Sequence, residues 1–302
     1  MAAAELRHIL ITGGRGQLGL ELTAAAWPTN VVLHAPSRAE LDLEVPGAVE
    51  AAFATTPFAA VINAAAYTAV DRAEAEVAKA FSANAQGPAL LADATRDRGI
   101  PLLHVSTDYV FDGLADRPYT EDDAVQPINV YGASKLAGEL AVLKGNPRSA
   151  VVRTAWVLSS HRQNFLRTML RLATTRPELG VVDDQRGCPT SAADLAEALR
   201  TVALRMIDDR DAPTGLYHFV NGGETSWAGL ARHIFAESGR AGGPATAVRP
   251  VTTTEYPTPA KRPRNSRLST ARITRDFGVQ PRQWEDAVSK IVAELREKGF
   301  SQ

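Results

Sequence analysis

The stretch ITGGRGQLGLEL, Ile11–Leu22, decides the fold. It follows the apolar run HILIT (His8–Thr12) and leads into residues 17–26, which read as a helix. Gly13, Gly16 and Gly19 fit GxxGxxG, and Gly14, Gly16 and Gly19 fit GxGxxG. Between a strand and a helix, either spacing gives a tight turn and close backbone approach to a pyrophosphate. It also aims a helix N-terminus at the pyrophosphate charge. Gln17 and Leu18 lie inside the same loop. A plain βα turn uses glycines too, so the loop gains meaning only from what surrounds it.

Further apolar runs follow: NVVLHA (Asn30–Ala35), AAVINAAA (Ala59–Ala66), LLHVST (Leu102–Thr107) and SAVVRTAWVL (Ser149–Leu158). They are continuous rather than alternating, which predicts a parallel sheet covered on both faces. Helical segments separate them, VPGAVEAAFA among these, so the expected class is α/β, a Rossmann-type doubly wound sheet. Later, residues 164–173 and 191–204 read as helices, the second with Thr190 or Ser191 as N-cap, and GLYHFVN (Gly215–Asn221) as a strand. Residues 240–263, rich in Gly, Pro and Thr, read as irregular. The expected division is a nucleotide-binding domain over 1–160, completed by about 189–222. A smaller α/β substrate-binding portion takes 161–188 and 223–302.

The chain has 302 residues, 33 basic and 34 acidic, and a net charge of −1. That balance gives no broad basic field for nucleic acid or an anionic membrane. Its one cysteine, Cys188, excludes an intrachain disulfide and a multi-cysteine metal site and suggests a reducing compartment. The start MAAAELRHILIT has no basic segment ahead of a long apolar core, so no secretory signal is expected. No apolar run nears the ~20 residues a membrane span needs. A cytoplasmic protein, monomer or homodimer, with no nucleic-acid or membrane partner is expected.

The end of the second strand should choose the cofactor. An acid there suits the ribose of NAD; a base suits the extra phosphate of NADP. Here the strand runs into APSR, with Ser37 and Arg38, and Arg15 stands in the glycine loop. A guanidinium matches phosphate geometry, so NADPH is preferred. Glu40 and Asp42 follow closely and keep NADH open.

YGASKLAGE, Tyr131–Glu139, sets a tyrosine four residues before a lysine, on one face of a helix. Bringing a phenol from pKa ~10 to about 7 needs roughly 4 kcal/mol of preference for the phenolate. A nearby ammonium is a source of that size. In the reductive direction the tyrosine need only donate a proton as an alkoxide forms. YxxxK occurs by chance in many helices. Here it follows a glycine loop and HVSTDYVFDG (His104–Gly113), which puts hydroxyls and Asp108 at the end of the fourth strand.

Together these motifs resemble the extended short-chain dehydrogenase/reductase superfamily. With VINAAAYTAVDRAE, RTAWVLSSHRQNFLRTML, DDQRGCPT and RPRNSRLST, they look like the successive motifs of the dTDP-4-dehydrorhamnose reductase family, from Leu10 to about Trp284. The resemblance implies NAD(P)H-dependent reduction of the C4 ketone of dTDP-4-dehydro-β-L-rhamnose to dTDP-β-L-rhamnose, the last step of dTDP-rhamnose synthesis. It implies Thr107, Tyr131 and Lys135 as catalytic residues, the last two also touching cofactor. It implies Asn63, Ala64 and Ala65 along the cofactor and Asp42 and Leu43 against adenine. Thr68, Val70, Asp108 and Trp156 are implied around the sugar. Trp156 serves equally well as a core tryptophan.

A diphosphate needs positive charge, and Arg262, Arg264 and Arg267 stand in KRPRNSRLS; Arg264 is taken as the contact. Some relatives dimerise through metal-bound glutamates. Glu21 matches one such position, but Ala193 occupies another, so no metal is expected. Tyr67 stands where many relatives carry histidine, and Cys188, where alanine is usual, is expected to be a buried small residue.

Three other readings fit the same pattern less well. A reductase of another nucleotide-linked 4-keto sugar would share every motif. A regulatory subunit, like the β subunit of methionine adenosyltransferase, would be favoured by loss of the Tyr, Lys or hydroxyl. A 4,6-dehydratase would want glutamate where Tyr109 stands.

Overall fold

The computed structural model describes residues 5–45 and 47–300. Residues 1–4 of the N-terminal stretch and Pro46 of VPGAVEAAFA lie outside the described residues. Along the chain come β1 (Arg7–Thr12), α1 (Gln17–Ala24), β2 (Val31–His34), α2 (Ala48–Thr55) and β3 (Phe58–Asn63). Then follow α3 (Val70–Ala73), α4 (Val77–Phe81), a π-helical turn (Ser82–Gln86), α5 (Gly87–Arg96) and β4 (Leu102–Thr107). A 3₁₀ turn (Asp108–Val110) leads on to α6 (Val130–Gly145), β5 (Ser149–Thr154), β6 (Val157–Leu158), α7 (Phe165–Ala173) and β7 (Glu178–Val182). β8 (Arg186–Gly187), β9 (Thr190–Ser191), α8 (Ala192–Asp208), β10 (Gly215–His218) and β11 (Thr225–Ser226) follow. The last elements are α9 (Trp227–Arg240), β12 (Ala247–Val251), β13 (Asn265–Ser266), α10 (Ala271–Phe277) and α11 (Trp284–Glu297).

Six strands form one parallel sheet in the order β10-β5-β4-β3-β1-β2. The continuous apolar runs are explained by burial on both faces: Ile9, Leu10, Ile11, Ala60, Val61 and Ile62 are all at most 1% exposed. Leu22 of α1 and Leu195 and Leu199 of α8 pack on one face. Val49 of α2, Leu91 of α5 and Val142 of α6 pack on the other. The chain leaves β1 for β2 on one side and returns with β3 on the other. That reversal opens a crevice beyond the strand ends, where open α/β sheets bind ligands. A second core joins Leu166 and Leu170 of α7, Leu230 and Ile234 of α9, and Val288 and Ile291 of α11.

Several segments differ from the sequence expectation. The run from Ser149 to Leu158 is not one strand. β5 stops at Thr154, because Trp156 takes φ 50° and turns the chain into β6, which pairs with β9. Residues 240–263 are not wholly irregular: β12 pairs in parallel with β7, from Ala247 beside Glu178 to Val251 beside Val182. At the third strand β3 ends at Asn63, so Ala64–Ala66 form the loop beyond it.

Candidate active site

A cleft of about 700 Å³ lies across the carboxyl ends of the sheet. The glycine loop forms its floor. Gly13 sits at φ 72°, and a Cβ there would come within 2.6 Å of the Ala65 nitrogen, so the loops that follow β1 and β3 meet at a contact only glycine allows. The Gly16 N–H donates to Gly13 O at 2.9 Å, and α1 starts from Gly16 with no side-chain cap. Its first N–H groups are therefore unclaimed by side chains, as a pyrophosphate site requires. Gly13, Gly16, Gln17 and Leu18 line the cleft, while Gly19 packs behind the loop against Gly13 and Gly14.

Arg15, Arg38, Asp42 and Leu43 line the adjoining wall. Arg38 is engaged there, donating to Asp42 at 3.0 Å and Glu44 at 2.6 Å. The Ser37 N–H donates to Glu40 at 2.7 Å. Carboxylates thus occupy the two donors expected to take a 2′-phosphate. These exposed pairs are worth little, so an incoming phosphate can replace them.

Ala64, Ala65, Thr68 and Val70 continue the lining after β3. Asn63 is buried behind them, accepting from Thr12 (2.7 Å) and contacting His104 (2.9 Å). At the end of β4, Thr107 accepts the Tyr109 N–H at 3.2 Å and donates to Asp108 Oδ1 at 3.0 Å. Burial lifts the Asp108 carboxyl to about 6, against the opposing hydrogen bonds of the Ser266 and Thr107 hydroxyls.

Asn129 caps α6 by accepting the Gly132 N–H at 2.7 Å, which starts the helix one residue before Tyr131. Gly132 packs against the Tyr109 carbonyl, so α6 approaches the turn after β4 closely. The Thr107 hydroxyl acts on the Tyr131 phenol against the effect of burial, and the Tyr131 ring meets Tyr109 edge-on at 5.5 Å. One turn on, Lys135 is 2% exposed and donates to Val105 O at 2.8 Å.

The tyrosine differs from the sequence expectation. Burial, then the Asp108 charge, push its ionisation well above the usual range rather than down toward 7. Burial also lowers Lys135 to about 8 against the pull of Glu139. A tyrosine that keeps its proton suits donation to an alkoxide.

On the opposite wall Trp156 stacks on Trp227 at 3.6 Å and 14°, and Phe165 packs on Trp227 at 4.6 Å. Gly187 lies against the Trp156 ring, where a side chain would collide. Trp227, Phe165, Gln163 and Asn164 line the cleft but were not picked out from the sequence. Asn164 could have been: it is the N-cap of α7, accepting the Arg167 N–H, and also donates to Gln17 at 2.9 Å.

The three loop arginines have separate fates. Arg262 pairs with Asp71 at 2.8 and 2.9 Å, and Arg267 with Glu224 at 2.9 Å. Arg264 is exposed and lies outside the cleft lining. Cys188 is buried, with its thiol pushed up to about 11. Glu21 is half-buried beside Glu294, and burial raises its carboxyl above the usual range. Among the described residues, no group of three or more His, Cys, Asp or Glu could hold a metal. No described helix is long and apolar enough to cross a membrane.

Residues 7–297 match the family model described as RmlD substrate binding domain. The chain is 42% identical over 293 residues to the dTDP-4-dehydrorhamnose reductase of Sinorhizobium fredii, covering 97% of this chain and 99% of that protein. It is similar to the crystal structure of a dTDP-4-dehydrorhamnose reductase from Clostridium acetobutylicum, with TM-score 0.89 and 39% identity over 96% of this chain and 99% of that one. The Bacillus anthracis dTDP-4-dehydrorhamnose reductase, solved in complex with NADP, gives TM-score 0.89 and 34% identity over the same shares. A glycine crevice and a Thr–Tyr–Lys cluster in one cleft, a family model matched along nearly the whole chain, and this likeness to named reductases agree: the chain belongs to the dTDP-4-dehydrorhamnose reductase family.

Proposed function

We propose that the protein reduces the C4 ketone of dTDP-4-dehydro-β-L-rhamnose to dTDP-β-L-rhamnose with NADPH. The observation that carries this is that Thr107, Tyr131 and a buried Lys135 line the same cleft as the glycine loop. The crevice fits a dinucleotide: the Gly13 approach and the uncapped start of α1 suit the pyrophosphate, and Arg15 and Arg38 suit a 2′-phosphate. Asp42 and Leu43 would lie along adenine, and Ala64 and Ala65 along the cofactor. When bound, NADPH supplies the hydride for the carbonyl carbon.

The chain's residues do the rest. Thr107 orients the carbonyl oxygen, Tyr131 gives that oxygen its proton as charge develops, and Lys135 holds the cofactor side of the pair. Hydride to carbon and proton to oxygen complete the alcohol. Thr68, Val70, Asp108 and Trp156 form the sugar site, the indole offering a flat apolar face to the deoxysugar. Arg264 serves the diphosphate, because Arg262 and Arg267 are held by Asp71 and Glu224. The second core carries this substrate half. The reading includes a cytoplasmic location and a monomer or homodimer.

Purified protein with NADPH and the 4-keto sugar should oxidise the cofactor. Tyr131→Phe should lose most of kcat while NADPH binding, followed by fluorescence, stays. Turnover by Tyr131→Phe at the native rate would remove Tyr131 from the acid role.

A further inference from the structure

The segment 156–165 belongs to both halves of the cleft. Its ends are Trp156 and Phe165, which build the aromatic wall with Trp227. Its middle lies over the glycine loop. Arg162 Nε donates to Arg15 O at 2.9 Å, and Asn164 Nδ2 donates to Gln17 Oε1 at 2.9 Å. Ser159 Oγ lies 3.1 Å from the same Gln17 oxygen.

The direction of the Asn164–Gln17 bond is set by groups that have no choice. Asn164 Oδ1 accepts the Arg167 N–H at the start of α7, and a backbone N–H only donates. Asn164 Nδ2 also meets Ser159 O at 2.8 Å, and a carbonyl only accepts. Nδ2 is therefore a donor, and the Gln17 atom it faces is the amide oxygen. With that oxygen held, Gln17 keeps both Nε2 hydrogens for another acceptor. Among the described residues Nε2 has no hydrogen-bond partner. Gln17 is the first residue of α1 and lines the cleft beside the uncapped N–H groups that suit a pyrophosphate.

We propose that Asn164 is a positioning residue for the cofactor: it turns Gln17 so that Nε2 donates to the pyrophosphate, and it links that contact to the sugar wall on the same segment. This rests on NADPH lying in the crevice and the sugar nucleotide lying against Trp156, as given above. Filling one site then orders a segment that the other ligand needs, so each ligand tightens the other by the same factor.

Asn164→Ser separates this role from the support of α7. Serine caps a helix about as well as asparagine, so α7 keeps its start, but the shorter side chain no longer fixes the Gln17 amide. Titration followed by NADPH fluorescence should show binding about 5- to 10-fold weaker, the worth of one hydrogen bond. Adenosine 2′-monophosphate, which has no pyrophosphate, should bind as it does to the wild type. In a Gln17→Met background, Asn164→Ser should change NADPH affinity by less than about 2-fold, because the residue it acts through is gone. Wild-type NADPH affinity in Asn164→Ser, an equal loss for both ligands, or the same loss in both backgrounds would overturn the proposal.

The link between the sites is read with NADPH and dTDP-β-L-rhamnose together, a pair that cannot react because both are already reduced. Saturating sugar nucleotide should tighten NADPH binding about 5-fold in the wild type, and the gain should shrink toward none in Asn164→Ser. A wild-type NADPH affinity that bound sugar nucleotide leaves unchanged would overturn the link. If the wild type binds NADPH but does not turn over the 4-keto sugar, the proposed function fails, while the NADPH and adenosine 2′-monophosphate affinities still decide the role of Asn164.

Discussion

Glu139→Gln should unfold this protein far more readily than an ordinary helix substitution does. Glu139 and Arg153 are 2% and 3% exposed and meet through two hydrogen bonds, at 2.8 and 2.6 Å. The pair fastens α6, which carries Tyr131 and Lys135, to β5. The Arg153 guanidinium also lies 4.9 Å from the centre of the Phe111 ring, and its Nη1 has no hydrogen-bond partner. A glutamine keeps the shape but leaves a buried cation without its counter-charge. Removing one partner of such a pair costs on the order of 3–5 kcal/mol. In a chain of this size that corresponds to a fall in Tm of roughly 10 °C. Replacing both partners by apolar groups, Glu139→Leu with Arg153→Met, should recover most of the loss, because neither charge is then stranded. Thermal unfolding and urea titration of the two singles and the double measure this. A Glu139→Gln loss below about 0.5 kcal/mol, or a double variant whose loss equals the sum of the singles, would refute the reasoning.

Trp227→Leu removes the ring that holds Trp156 at its left-handed φ. A stack of this kind is worth roughly 0.5–1.5 kcal/mol, so KM for the sugar nucleotide should rise about 3- to 10-fold with NADPH affinity unchanged. Steady-state kinetics and NADPH titration check both halves. Stability should also respond to pH through His34, whose ring lies 2.8 Å from His8. Burial first, and His8 second, make folded His34 a weaker base than in the unfolded chain. Its contribution is therefore full above the unfolded value of about 6.5 and is lost as pH falls below it. Tm should drop between neutral pH and pH ~5, and His34→Leu should flatten that slope.

The sheet was readable because burial on both faces demands uninterrupted apolar runs, and Ile9–Ile11, Val61–Ile62 and Leu102–Leu103 supply them. The glycine loop was readable because the contact of Gly13 with Ala65 tolerates no side chain. The break at Trp156 was not. Its φ depends on Trp227 and Gly187, both distant in sequence, while the local run Ser149–Leu158 favours strand throughout. β12 was hidden because its pairing with β7 supplies what the sequence Ala247–Val251, with a proline inside, does not announce. The spacing of Tyr131 and Lys135 gave their shared face but not their proton affinities. Those follow from burial first, then from the Asp108 charge on Tyr131 and the Glu139 charge on Lys135. Arg38 was legible as a base near the cofactor wall, but its engagement by Asp42 and Glu44 was not, because residues 38–44 lie in a turn and coil segment with no helical spacing to pair them.

The most direct test of the proposed reaction follows one atom. With NADPH deuterated at nicotinamide C4 on the transferred face, NMR of the product should show dTDP-β-L-rhamnose carrying deuterium at sugar C4. A product epimeric at C4, or no reduced sugar, would contradict it.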